Sequence, residues 1–226
     1  MKKLLAKAKA LYKKDRYKDA LVIAKKVLAL DKNNSEALFY VAHGLYRFRQ
    51  FKTSLQFWKR LERICPTEPS LYLNMGACYD DLGNKRLAIQ NYKKELALNP
   101  ASATVLHNLG DIYFFAHKYK LAANYLERSH SQEPLPDNCI GKLARSYFKT
   151  GQPEKEQILY EEFLQKTPND VWALNNLGLH LMGQREYHRA LLRLKKAAQL
   201  DPSDKIVAKN ISKAEREIKK IRALSR

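Results

Sequence analysis

Residues 71–100 read LYLNMGACYDDLGNKRLAIQNYKKELALNP. Two stretches of helical apolar spacing flank a turn at Leu82-Gly83-Asn84. Neither stripe is wide enough to make a core by itself. The same pattern returns at a fixed period along the chain. A period of this size means helix pairs stacked side by side, each burying its neighbour's face.

Proline sets the register. Pro66, Pro100, Pro134, Pro168 and Pro202 are evenly spaced, one period apart. A proline there ends the second helix of a pair and drives the residue before it to an extended conformation. Counting back gives six units: 1–34, 35–68, 69–102, 103–136, 137–170 and 171–204. The eighth place of each is small: Ala8, Ala42, Gly76, Gly110, Ala144 and Gly178. Small side chains let two helices approach closely. The twentieth place is Ala20, Ser54, Ala88, Ala122, Glu156 and Ala190.

Met75-Gly76-x2-Tyr79 followed by Ala88, Tyr92 and Pro100 resembles the tetratricopeptide repeat. Leu109-Gly110-x2-Tyr113 with Ala122 and Pro134 resembles it again. The resemblance runs unbroken over residues 1–204. It implies an all-α fold: a right-handed superhelical solenoid of six tetratricopeptide helix pairs. It also implies a concave groove, lined by the first helices, of the kind that binds peptides.

Some units depart from the pattern. Lys32 replaces the proline of the first unit, whose first helix has few large apolar residues, as suits a water-facing end. The fourth unit ends polar before EPLPDN, and the fifth has Glu156 at a small-residue place and Pro153 just ahead of its second helix. The junction of these two units is therefore expected to be the weakest. Residues 205–226 begin like a seventh first helix, with Ile206, Val207, Ile211, Ala214, Ile218 and Ile221 at helical spacing. No second helix follows, so this stretch reads as a C-terminal capping helix over the last repeat's apolar edge.

Cys65, Cys78 and Cys139 form no CxxC and no metal-ligand spacing. They read as small thiols in a reducing compartment, and the chain as cytoplasmic. His43, His107, His117, His130, His180 and His188 are scattered, and the acid pairs Asp80-Asp81 and Glu161-Glu162 read as solvated helix surface. No constellation points to catalysis, a metal, a cofactor or a small-molecule substrate. No apolar run reaches the roughly 18 residues of a membrane span. The N-terminal MKKLLAKAKALYKKD has Lys7 and Lys9 inside its apolar stretch, which fits a first helix better than a signal peptide.

The net charge of +19 gathers at the two ends of the chain. Basic ends suit a polyanion, either nucleic acid or an anionic lipid surface. They also suit mere solubility.

Helical spacing separates a buried face (places 4, 7, 8 and 11) from a groove face (places 2, 5, 6, 9, 12 and 13). The groove face holds Tyr40, His43 and Arg47, then His107, Asp111 and Phe115, then Lys142, Arg145, Lys149, Trp172 and Met182. The sixth place is Asn74, Asn108, Asn176 and, extending the count, Asn210; in the fifth unit it is Lys142. An amide donates and accepts, so such a row suits a peptide backbone. The asparagines also resemble those of peptide-binding members of the family. The resemblance would also place Lys and Asn four apart on one first helix to clamp a terminal carboxylate, but Phe39 with His43 and Leu73 with Ala77 do not supply that pair, so the full clamp is absent. The expected function is a protein-interaction scaffold holding an extended acidic or aromatic segment. The alternative is a polyanion binder acting through its basic ends.

Overall fold

The computed structural model describes residues 1–133 and 137–224. Among them are thirteen helices and no strand. In chain order they are α1 (Lys2–Lys13), α2 (Tyr17–Leu30), α3 (Ser35–Arg47), α4 (Phe51–Ile64), α5 (Leu71–Asp81), α6 (Lys85–Leu98), α7 (Ala103–Phe115), α8 (Tyr119–Gln132), α9 (Asp137–Lys149), α10 (Pro153–Lys166), α11 (Val171–Gly183), α12 (Tyr187–Leu200) and α13 (Lys205–Leu224). The even-numbered helices through α12 start and stop at the same two places of every repeat. This is an all-α helical-repeat fold.

The helix ends follow from local chemistry. Cys65, Asn99, Thr167 and Asp201 each precede a proline and leave helical geometry, with φ of −140°, −133°, −128° and −133°. Asn34, Asn84 and Asp170 accept from the backbone N–H three residues on, at 3.0, 3.1 and 2.7 Å. Ser70 is left-handed and its side chain caps nothing. A buried side chain of the partner helix stands in: Glu95 accepts from Leu73 N–H at 3.1 Å. Pro153 is the first residue of α10, where its missing N–H costs nothing, and not a residue ahead of it.

The turns inside the pairs share one backbone solution. Asp15, Arg49, Gly83, His117, Gly151 and Arg185 all have positive φ, between 56° and 77°. They occupy the same place in successive repeats. Only two are glycine, the residue that adopts this region without strain. Two places on, the non-glycine turns have Tyr17, Phe51, Tyr119 and Tyr187, whereas the glycine turns have Lys85 and Pro153. Tyr17 donates to Asp15, the Arg49 guanidinium lies 5.7 Å from the Phe51 ring centre, and His117 Nδ1 is 2.9 Å from the Tyr119 hydroxyl.

The described residues form two compact units, Met1–Ile112 with Arg128–Glu133, and Tyr113–Glu127 with the described part of Pro134–Arg226. In the first, α1 to α6 each pack on the next. Its core joins Ala8, Ala24, Val27, Leu38, Val41, Leu45, Trp58 and Leu61 to Leu71 and Met75. In the second, α9 to α13 each pack on the next, around Leu143, Tyr147, Leu159, Leu177, Leu181 and Leu194. Places 4, 7 and 8 are buried in the second to sixth repeats, as expected. The Pro134 turn that was to mark a weak junction lies outside the described residues.

The α13 stripe is narrower than its sequence spacing implies. Val207, Ala214 and Ile218 are buried, with Val207 packing beside Leu174 and Ala197. Ile206 is 66 % exposed and Ile221 49 % exposed. Both lie off the line that meets α11 and α12. No helix among the described residues is long and apolar enough to cross a membrane.

Candidate functional site

A cavity of about 1130 Å³ opens in the second unit. Lys142, Arg145 and Phe148 of α9 line it, with Glu156, Tyr160 and Phe163 of α10, and Trp172, Asn176 and His180 of α11. The period brings these helices side by side, so groove-face positions of neighbouring repeats converge.

Gly141 makes room for the indole. A Cβ there would come within 3.0 Å of Trp172 Cζ2. Trp172 stays 43 % exposed while its ring meets Tyr160 and Phe163 edge-on, with centroids 5.9 and 6.3 Å apart. A half-open indole braced by two rings is a rigid apolar wall of the kind that anchors binding. Arg145 is exposed, and the Lys142 ammonium lies 5.5 Å from the Phe115 ring centre. The cavity therefore pairs aromatic walls with two cations.

One polar contact interrupts the aromatic lining. Glu156 Oε2 is 3.1 Å from His180 Nδ1, with side chains only 10 % and 4 % exposed. His180 Nε2 is buried without a hydrogen-bond partner. Burial raises the Glu156 carboxyl above the usual carboxylate range, against the lowering effect of His180. Burial and the Glu156 charge also raise the Tyr160 phenol.

Of the residues that the sequence singles out, Lys142, Arg145, Trp172 and Asn176 meet at this cavity. Lys149 lies outside its lining, with its ammonium over the Phe148 ring at 5.9 Å. Phe115, 69 % exposed, and Asn210 also lie outside the lining. Met182 is buried in the core rather than groove-facing.

The asparagines are partly committed. Asn74 donates to Ser70 O and Asn176 to Trp172 O, each at 2.7 Å along its own helix. Asn108 donates to the Tyr92 hydroxyl at 3.2 Å, and Asn210 to Asn175 Oδ1 at 2.8 Å. An amide so engaged keeps a second N–H and a carbonyl to offer. His107 and Asp111 sit 3.6 Å apart on α7, both half-buried.

Tyr40 is a correction. It is buried, 5.1 Å from Tyr12 and 5.8 Å from Phe39 between ring centres. Here Tyr12, Tyr17 and Phe39 close over His43 at 5.0, 5.5 and 6.1 Å. Burial and the Arg47 charge lower the His43 pKa, and burial pushes the Tyr12 phenol up to about 12. Arg47 stays exposed, 5.0 Å from the Tyr17 ring centre. This face of the first unit is filled by its own rings.

Residues 13–95 match the family model described as anaphase-promoting complex, cyclosome, subunit 3. A TPR repeat-containing protein of Methanocaldococcus jannaschii is 24% identical over 198 residues, 79% of this chain and 35% of the relative. Anaphase-promoting complex subunit 6 of Arabidopsis thaliana is 24% identical over 150 residues, 64% of this chain and 28% of the relative. The chain thus spans about a third or less of the length of these relatives. Among solved structures, the C-terminal part of a TPR repeat-containing protein from Cytophaga hutchinsonii superposes with a TM-score of 0.74 at 16% identity, covering 98% of this chain and 89% of that one. YrrB, described as a TPR protein with an unusual peptide-binding site, gives 0.69 at 17% identity, covering 82% of this chain and 95% of that one. At such identities the solved structures speak for the fold alone. The periodic sequence signature, the helix pairs it builds and these likenesses give the chain a tetratricopeptide-type helical-repeat fold.

Proposed function

We propose that the chain is a protein–protein interaction scaffold whose second unit holds an extended partner segment with acidic or aromatic character. One observation carries this: Lys142, Arg145, Trp172 and Asn176 line a single cavity. An aromatic side chain stacks on Trp172, a carboxylate meets Arg145, and the Asn176 amide bonds the segment's backbone. A peptide-binding protein of the same fold, YrrB, supports the ligand class.

Fluorescence polarisation with a fluorescein-labelled peptide alternating glutamate and phenylalanine tests this. Arg145→Glu and Trp172→Ala are each expected to weaken binding about tenfold or more, which corresponds to about 1.4 kcal/mol. The far-UV spectrum stays unchanged. Binding that neither variant moves, with the fold verified, rules this cavity out.

A second reading rests on Lys2, Lys3, Lys7 and Lys9, all exposed on α1. Such a basic face suits a polyanion.

A further inference from the structure

Five repeats place Ala or Ser at the twentieth position, and each is essentially excluded from solvent: Ala20, Ser54, Ala88, Ala122 and Ala190. The fifth repeat places Glu156 there, also buried. A carboxylate at a helix–helix contact requires a partner, and α11 supplies one in His180 at 3.1 Å. The substitution falls in the repeat that carries the cavity, and both residues are part of the lining. The pair is thus a built feature of the site.

Two of the pair's proton states bear on an incoming anion. With its proton the pair is neutral overall; without it, the pair carries one negative charge. The charged and titratable groups around it are few. Lys142 and Arg145 face the cavity from α9, and Tyr160 lies one turn along α10. Asp170, ahead of α11, is held by Ala173 N–H at 2.7 Å. On the α12 side, Arg189 is engaged with Glu186 and Glu161. Removing the proton therefore cancels part of the attraction that Lys142 and Arg145 offer an anion.

We propose that the Glu156–His180 pair makes the cavity a proton-linked receptor for acidic segments, which bind with uptake of a proton onto the pair and are released as the pH rises. This rests on the segment-binding reading above. The sign follows from the pair's position: an incoming carboxylate favours the state with less negative charge beside it. The raised Glu156 carboxyl acts in the same sense, because an acid disfavoured in its charged form takes a proton back more readily.

The experiment measures binding of the glutamate–phenylalanine peptide at about pH 6 and about pH 8, with a glutamine–phenylalanine peptide alongside. Calorimetry in two buffers of different ionisation heat counts the protons taken up by the unmodified protein. The acidic peptide is expected to bind about fivefold tighter at the lower pH, with net proton uptake. The glutamine peptide shows neither effect. The double variant Glu156→Gln with His180→Gln, checked for its thermal transition, binds the acidic peptide equally at both pH values. Equal affinity without proton uptake in the native protein overturns the proposal while leaving segment binding intact, as does a pH slope that survives in the double variant. An acidic peptide that binds at neither pH overturns the segment-binding reading, and the proton linkage falls with it.

Discussion

The Tyr92 ring of α6 occupies the space where Gly76 of α5 has no side chain. A Cβ on Gly76 would stand 2.5 Å from Tyr92 Cδ1, and Tyr92 is only 1 % exposed, so the ring has nowhere to retreat. Gly178 and Leu194 repeat the relation at 2.7 Å. Gly76→Ala and Gly178→Ala are each expected to cost roughly 1–3 kcal/mol in urea unfolding. Gly183 meets nothing within 4 Å, so Gly183→Ala is neutral or stabilising by up to about 1 kcal/mol. Equal losses at all three would contradict this packing.

Cys78 is expected to be inert in the folded protein. It is fully buried, and burial pushes its thiol up to about 11. The thiolate is the reactive form, so at about pH 8 only about one molecule in a thousand presents it. Iodoacetamide followed by mass mapping should leave Cys78 unlabelled until denaturant is added. Prompt native labelling would show that the contact between α4 and α5 opens readily.

The α13 helix should behave as a cap through one residue more than any other. Val207 is fully buried beside Leu174 and Ala197. Val207→Asp introduces an unpaired charge there, and a loss of several kcal/mol is expected. Ile206→Asp, on the exposed side, should move stability by less than about 0.5 kcal/mol. Thermal melts of the two variants check the contrast.

Changing Lys2, Lys3, Lys7 and Lys9 to Gln should leave the melting curve in place, because all four are exposed. Retention on heparin should fall, and its salt slope should become shallower by about one unit for each lysine that had met a sulfate. Unchanged retention would assign these charges to solubility.

The period alone made most of the fold legible. One repeating step places the helix pairs, the small-residue contacts and the buried face, because each of these depends on spacing within a helix. The same spacing picked out Lys142, Arg145, Trp172 and Asn176. It failed where a contact depends on a second chain segment or on which way a side chain folds back. Tyr40 sits at a groove place but is covered by Tyr12. Asn74 and Asn176 turn a donor back on their own helices because a carbonyl lies one turn behind. Glu156 was visible as a misfit, yet its pairing with His180 on the following helix has no signature in local spacing.

The left-handed turns couple two positions of a repeat. Each repeat has at this turn either a glycine or a residue followed two places on by an aromatic, and at Asp15, Arg49 and His117 the two side chains meet. Changing Asp15 to Gly relieves about 1–2 kcal/mol of backbone strain but strands Tyr17 and gives the unfolded chain more freedom. Changing Gly83 to Asp adds the strain, and nothing lies within 4 Å of the new Cβ. The turn residue and the ring two places on are therefore coupled at Asp15 and Tyr17, and a double-mutant cycle reads a non-additive contribution there that it does not read at Gly83 and Lys85.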